Sequence, residues 1–200
     1  ILNPEQKQLL ILLKNFYKEY YLVGGTAIAL QIGHRESVDF DLFNNNNPSL
    51  FSIKKTITKY PFNNRLIYSN KEQVHFIIHN VKFTFFNYPF NIKATIDFEN
   101  FCRMPDLLTL AAMKTLAMAQ RSKWKDYVDL FFLLKNYFTI KEISTLSNFL
   151  FPNVYSEKLF RQQIAYHKLI DYSEQVVYSI KNPPSDEEIK DFLIQESLRF

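Results

Sequence analysis

The chain has 200 residues, 47% of them hydrophobic and 22% charged, with a formal net charge of +4 at pH 7. This is ordinary globular composition: enough apolar material for a core, and a length that suits one domain or two small ones. A lone cysteine, Cys102, excludes an internal disulfide framework and fits a reducing cytosol, and no apolar run approaches a membrane span. The first residues lack the charged start and apolar run of a signal peptide, which predicts a cytoplasmic protein with no membrane partner. The mild basic excess is compatible with a polyanionic partner without demanding one.

Asn3-Pro4-Glu5 predicts a helix start, with a cap, a proline in the first turn and then an acid; Leu9, Leu10, Leu13 and Phe16 continue at helical spacing. A short apolar strand from Tyr20 to Val23 ends at Gly24-Gly25. Thr26 to Ile32 reads as a short helix closed by Gly33. The chain has only 3 glycines, all in this stretch, where backbone must turn or approach something closely. Val38 to Phe43 alternates apolar and acidic residues, the period of a half-buried strand. Asn44 to Asn47 read as a polar loop, and Pro48 to Tyr60 as an amphipathic helix. Strands are predicted at Arg65–Ser69, Val74–His79, Val81–Phe86 and Ala94–Phe98, with a tight turn at Asn80. From Pro105 the periodicity is helical, through Arg121, Trp124–Tyr137, Ile140–Phe151, Glu157–Lys168 and Ser185–Arg199. The pattern divides into a mixed α/β half, residues 1–100, and an all-helical half, residues 101–200.

Chemistry concentrates at two points of the first half. Strand geometry puts the carboxylates of Asp39 and Asp41 on one face, about 6.5–7 Å apart. Hard oxygen ligands so arranged suit Mg²⁺, whose shell substrate phosphates usually complete. Gly24-Gly25-Thr26 joins a strand to a helix start, where backbone N–H groups and a hydroxyl make an anion cradle. One short helix separates the turn from the acidic strand, so the two strands can lie side by side. Arg35 and Ser37 sit on the approach to the acidic strand, and Arg35 suits phosphate or hydrogen bonding to the strand. His75 and His79 read as structural or surface histidines, since no third ligand is suggested.

Together, Gly24-Gly25-Thr26-Ala27-Ile28-Ala29-Leu30 and Gly33-His34-Arg35-Glu36-Ser37-Val38-Asp39-Phe40-Asp41-Leu42-Phe43 resemble the AbiEii/AbiGii toxin family of the DNA polymerase β-like nucleotidyltransferase superfamily. A second block, Ala112-Met113-Lys114, Arg121 and Lys125-Asp126-Tyr127-Val128-Asp129-Leu130, is similar to that family's helical signature. The resemblance implies an α+β fold, a mixed sheet with flanking helices, followed by a helical half that completes the nucleotide site. It implies transfer of a nucleotide from an NTP to an acceptor hydroxyl with Mg²⁺ or Mn²⁺. It also implies a bacterial toxin–antitoxin or phage-defence setting, with the tRNA 3′ end as leading acceptor and a cognate antitoxin as partner. By the same resemblance Asp39 and Asp41 hold the metal, and Gly24, Gly25, Thr26, Arg35, Ser37, Lys114, Arg121 and Asp129 serve the nucleotide. Lys114 and Asp126 join the two metal acids as catalytic groups. A small acceptor of the aminoglycoside type is the alternative. In one respect the chain departs from the pattern: Thr84 stands where relatives carry a third carboxylate. A threonine supplies neither a base near neutral pH nor a negative metal ligand. That leaves Asp97 or Asp126 as substitutes, or a module that binds nucleotide without turnover.

Overall fold

The side-chain oxygen of Asn3 accepts from the backbone N–H of Gln6, and Gln6 returns a bond to the Asn3 N–H; this reciprocal cap opens the first helix, α1 (Pro4–Gln8). The structure, a computed structural model, describes residues 1–199. It divides into two compact units: Ile1–Gln31 with Glu36–Asp106, and Ile32–Arg35 with the chain from Leu107 onward.

In the first unit α2 (Leu10–Leu13) and a turn of 3₁₀ helix lead to β1 (Tyr21–Val23), α3 (Gly24–Ile32), β2 (Phe40–Asn44) and α4 (Leu50–Ile57). Then come β3 (Asn64–Ser69), β4 (Gln73–Ile78), β5 (Val81–Asn87), β6 (Ile96–Phe98) and β7 (Cys102–Met104). Five strands form one mixed sheet in the order β1-β2-β5-β4-β3; β2 and β5 run parallel and the other pairs antiparallel. The parallel pair requires a crossover, which α4 and the β3–β4 hairpin supply. His79 and Asn80 both take positive φ (48° and 65°), the geometry of a two-residue hairpin turn, at the predicted place. A separate two-stranded sheet pairs β6 with β7. β7 was not foreseen.

Alternation divides the faces of the large sheet. Phe40, Leu42, Val74, Phe76, Ile78, Phe83 and Phe85 are almost wholly buried. Phe16, from the end of the N-terminal helical segment, meets Phe85 edge-on at 4.8 Å. Each such aromatic contributes on the order of 2–3 kcal/mol by burial, so this face anchors the sheet. The other face carries Asp41, Thr84, Lys82 and His75.

The second unit is helical: α5 (Leu107–Gln120), α6 (Trp124–Asn136), α7 (Ile140–Leu150), α8 (Glu157–Ala165) and α9 (Asp186–Leu198). Thr139 and Glu142 form a capping box before α7, and Ser185 caps α9 ahead of three acids in its first turn. α5 packs on α7, and α8 on α9. Among the described residues no helix is long and apolar enough to cross a membrane.

Candidate active site

The site in the first unit starts from β1 and β2. Val23, the last residue of β1, pairs with Asp41 in the antiparallel register. The chain then turns at Gly24 with φ of 71°, a conformation that favours glycine. A Cβ placed on Gly24 would lie 2.6 Å from Oδ2 of Asp41. Glycine is therefore required twice over, for its backbone angle and for the carboxylate that presses against it. The Asp41 carboxylate stands at the N-terminus of α3, the positive end of the helix. Asp39 and Asp41 are both half-buried on either side of the wholly buried Phe40; the strand begins at Phe40, later than the Val38 expected, so Asp39 lies just before it.

Thr26 and Ser37, which the resemblance assigns to the nucleotide, make local bonds in this structure. The Thr26 hydroxyl donates to the carbonyl oxygen of Asp39, and it lies 2.9 Å from the Ser37 hydroxyl. Both are buried. They strap the first turn of α3 to the start of the acidic strand and so fix where Asp39 and Asp41 stand.

The parallel register sets Asp41 beside Thr84, and the next register sets Thr84 beside His75. Val23, Asp41, Thr84 and His75 form one row across the sheet. Thr84, expected at the place of a third carboxylate, is thus the neighbour of Asp41 on β5. Of the two acids that might substitute, Asp97 lies on β6 in the other sheet, where its carboxylate accepts from the Tyr17 hydroxyl (2.7 Å) and the Asn100 N–H (3.0 Å). Asp126 is engaged with cations, as described below. His75 and Lys82 share the face of Asp41, which sequence reading missed; only the register reveals it. Burial and the nearby Lys82 hold the His75 imidazole below its ordinary pKa. Among the described residues no cluster of three His, Cys, Asp or Glu side chains could hold a metal. Two half-buried carboxylates with a hydroxyl alongside nevertheless fit Mg²⁺, which keeps several waters and takes one or two carboxylates plus phosphate oxygens.

The second unit holds the other predicted residues in a buried ion network. Asp129, fully buried, accepts four charge-assisted bonds. Its Oδ1 takes Nε2–H of His34 and Nε–H of Arg35, each at 2.7 Å. Its Oδ2 takes Nη2–H of Arg35 at 2.8 Å and the Lys114 ammonium at 2.7 Å. Lys114 also donates to Asp126 at 2.8 Å, and Asp126 receives Arg121 at 2.8 Å. Burial alone would raise both carboxyl pKa values, but Arg35 and Lys114 hold Asp129 well below the usual range, and Lys114 and Arg121 lower Asp126. Burial opposes the charge on Lys114, and the two carboxylates outweigh it, raising its pKa. The structure therefore unites Arg35, Lys114, Arg121, Asp126 and Asp129, and adds His34. Asp126 and Asp129 are core groups rather than a solvated helix face. Cys102 is buried and its thiol is pushed up to about 12, so it is a poor nucleophile.

Comparison with known proteins identifies the family and the fold. The family model described as nucleotidyl transferase AbiEii toxin, type IV toxin–antitoxin system, matches residues 11–98 and 84–197. The Aquifex aeolicus protein aq_aa25 is 30% identical over 203 aligned positions, covering 96% of this chain and 93% of its own. Among solved structures, MenT4, a nucleotidyltransferase toxin of Mycobacterium tuberculosis, superposes with a TM-score of 0.66 at 13% identity, covering 96% of this chain and 80% of its own. JHP933 of Helicobacter pylori gives 0.58 at 17% identity, covering 98% and 92%. At such identities the structural likeness establishes a shared fold.

Proposed function

The chain belongs to the AbiEii nucleotidyl transferase toxin family of type IV toxin–antitoxin systems, and from that premise we propose that it transfers a nucleotide from a Mg²⁺-chelated NTP to a hydroxyl of RNA. The tRNA 3′ end is the leading acceptor. One observation carries the reading: the Asp41 carboxylate lies against the Gly24 turn at the head of α3, with Asp39 two residues earlier, just before β2.

In this reading Asp39 and Asp41 hold the metal, which when bound neutralises charge on the phosphates and orients them. The Gly24-Gly25 turn and the N-terminal amides of α3 receive phosphate oxygens, as helix N-termini do. Thr26 and Ser37 keep the acidic strand registered against that turn. The acceptor oxygen forms a bond to the α-phosphorus while the bond to the departing pyrophosphate breaks, and the hydroxyl proton leaves to a base or to water. Catalysis is then positioning plus charge stabilisation in a preformed site. Arg35 and Lys114 are engaged by Asp126 and Asp129, so their part is to fix the helical unit. Direct phosphate contact by Lys114 would require one of those bonds to open.

The test is incubation with each labelled NTP, Mg²⁺ and total tRNA. Label should enter RNA with the wild type and be lost in Asp39→Ala and Asp41→Ala. Incorporation into a small aminoglycoside and not into RNA would replace the acceptor assignment. Incorporation that survives both substitutions would remove the metal assignment.

A further inference from the structure

The face of the large sheet that carries Asp41 runs on beyond it to the far edge. Register sets Asp41 beside Thr84, Thr84 beside His75 and His75 beside Tyr68, so one row crosses β2, β5, β4 and β3. Neighbouring strands lie about 4.8 Å apart, which places His75 about 10 Å and Tyr68 about 14 Å from Asp41 along the row. A second row on the same face, about 7 Å further along β5 and β4, holds Lys82, Ile77 and Arg65. Arg65 and Tyr68 are three residues apart, a spacing that puts side chains on opposite faces of a regular strand. The irregularity between Leu66 and Tyr68 brings both to this face.

The rings of the first row are both accessible and held in place. Tyr68 is 46% exposed and His75 half-buried. They meet edge-on with centroids 5.6 Å apart. The Tyr68 hydroxyl accepts from the Asn70 amide at 3.1 Å, and His75 Nε2 lies 2.9 Å from Oε1 of Gln73. In the second row Arg65 is exposed and Lys82 half-buried, and among the described residues neither forms a salt bridge. Asp41 is the only carboxylate at the strand positions of this face.

Sidedness and chemistry together select the occupant. The Gly24 turn and the head of α3 stand on the β1 side of Asp41, and β5 lies on its other side. Attack on phosphorus runs roughly in line with departure of the leaving group. With the NTP phosphates at the turn, the attacking hydroxyl therefore arrives from the side of β5, β4 and β3, across Thr84, His75 and Tyr68. Aromatic rings stack unpaired bases, and cations track the phosphates between them. A duplex hides its base faces within its own stack, so rings on an open sheet suit a single strand. An acidic peptide would meet the cations and leave the ring row unused.

We propose that the β5, β4 and β3 part of this face is the platform for the 3′ end of a single-stranded RNA acceptor. An unpaired base stacks at Tyr68 and His75, phosphates lie at Arg65 and Lys82, and the terminal hydroxyl reaches Asp41. The proposal rests on the nucleotidyl-transfer reading above and says where that reaction's acceptor is held.

The experiment is fluorescence anisotropy with 5′-labelled hexaribonucleotides, without NTP, on the full chain. Tyr68→Ala removes the exposed ring, Tyr68→Phe keeps it, and Arg65→Gln with Lys82→Gln removes the two charges. Circular dichroism and thermal melting confirm that each variant folds. Tyr68→Ala should weaken hexamer binding by about tenfold, the scale of one lost base stack, and Tyr68→Phe should stay within about twofold of wild type. The double variant should flatten the slope of log affinity against log salt by about 1.4, two phosphate contacts on a single strand. In transfer assays Tyr68→Ala should raise acceptor KM about tenfold and leave KM for NTP within about twofold. Asp41→Ala should abolish transfer without weakening hexamer binding. Unchanged affinity in folded Tyr68→Ala together with an unchanged salt slope in the double variant overturns the proposal. Competition by a poly-glutamate peptide as effective as that of unlabelled hexamer also overturns it, since charge alone would then account for binding. Hexamer binding that depends on Tyr68, without transfer to any acceptor, upholds the platform and counts against the nucleotidyl-transfer reading.

Discussion

Thr84 stands directly beside Asp41 on the neighbouring parallel strand, where a carboxylate would complete a triad of acids with Asp39. In the proposed site a hydroxyl there would contribute a neutral oxygen, leaving two charges rather than three to hold a metal. Thr84→Asp should raise Mn²⁺ affinity, measured by calorimetry, by about tenfold, because each added hard anionic ligand strengthens such a site. The same substitution places a third negative charge at a buried position. It should cost about 1–3 kcal/mol without metal and regain most of that in Mg²⁺. Unchanged metal affinity would mean that the side chain at 84 does not reach the site.

Gly24 and Gly33 offer a matched pair, since both have positive φ (71° and 67°) but only Gly24 faces an obstacle. Gly33→Ala carries backbone strain alone and should cost about 1 kcal/mol in urea denaturation. Gly24→Ala adds the collision with Asp41, so it should cost about 2–4 kcal/mol and move the carboxylate off its position. Transfer activity should fall by at least about a hundredfold in Gly24→Ala and stay within about threefold in Gly33→Ala.

Asp129 balances two buried cations and orients a histidine. Asp129→Ala should destabilise the helical unit by about 3–5 kcal/mol, since it strands Arg35 and Lys114 without a counter-charge. Arg121 is about half exposed, and its loss should cost under about 1 kcal/mol. Amide hydrogen exchange across α5 and α6 separates the two: protection should collapse only for Asp129→Ala.

The same network sets the pH dependence. Asp126 and Asp129 have folded pKa values below those of the unfolded chain, so their stabilisation is present above about pH 4 and is lost as pH falls through the folded values. Lys114 is raised, so its part is fully present below about pH 10.4 and is lost as pH rises through its folded value. Urea midpoints should hold level in neutral solution and drop in acid, and Asp129→Asn should show a shallower acid limb. An acid limb identical to wild type would mean that Asp129 keeps an ordinary pKa.

Much of this was readable from the chain because local physics decided it. The alternation of Asp39, Phe40 and Asp41 is a strand period whatever surrounds it, and the only glycines mark a turn that needed one at Gly24. Asn3-Pro4-Glu5 and Ser185 with the acids after it marked two helix starts. What could not be read depends on partners distant in sequence. The neighbour of Thr84 follows from a parallel register that no spacing encodes. Whether Asp126 and Asp129 face water or the core depends on Arg35, some ninety residues earlier, and the second block's charges look the same on either face. Thr26 and Ser37 read as phosphate ligands because a hydroxyl near a glycine turn can serve a ligand; that the Thr26 hydroxyl also bonds the Asp39 carbonyl could not be read from the chain. β7 has three residues, too few to display a period.

The central claim is that Asp39 and Asp41 bind NTP through a metal beside the glycine turn. Calorimetric titration with the preferred NTP tests it most directly, in Mg²⁺ and then in EDTA, for wild type and Asp41→Ala. The account predicts binding that needs Mg²⁺ and weakens by at least about a hundredfold in the variant, the scale set by losing one of two charged ligands. Equal affinity in EDTA, or in Asp41→Ala, would contradict it.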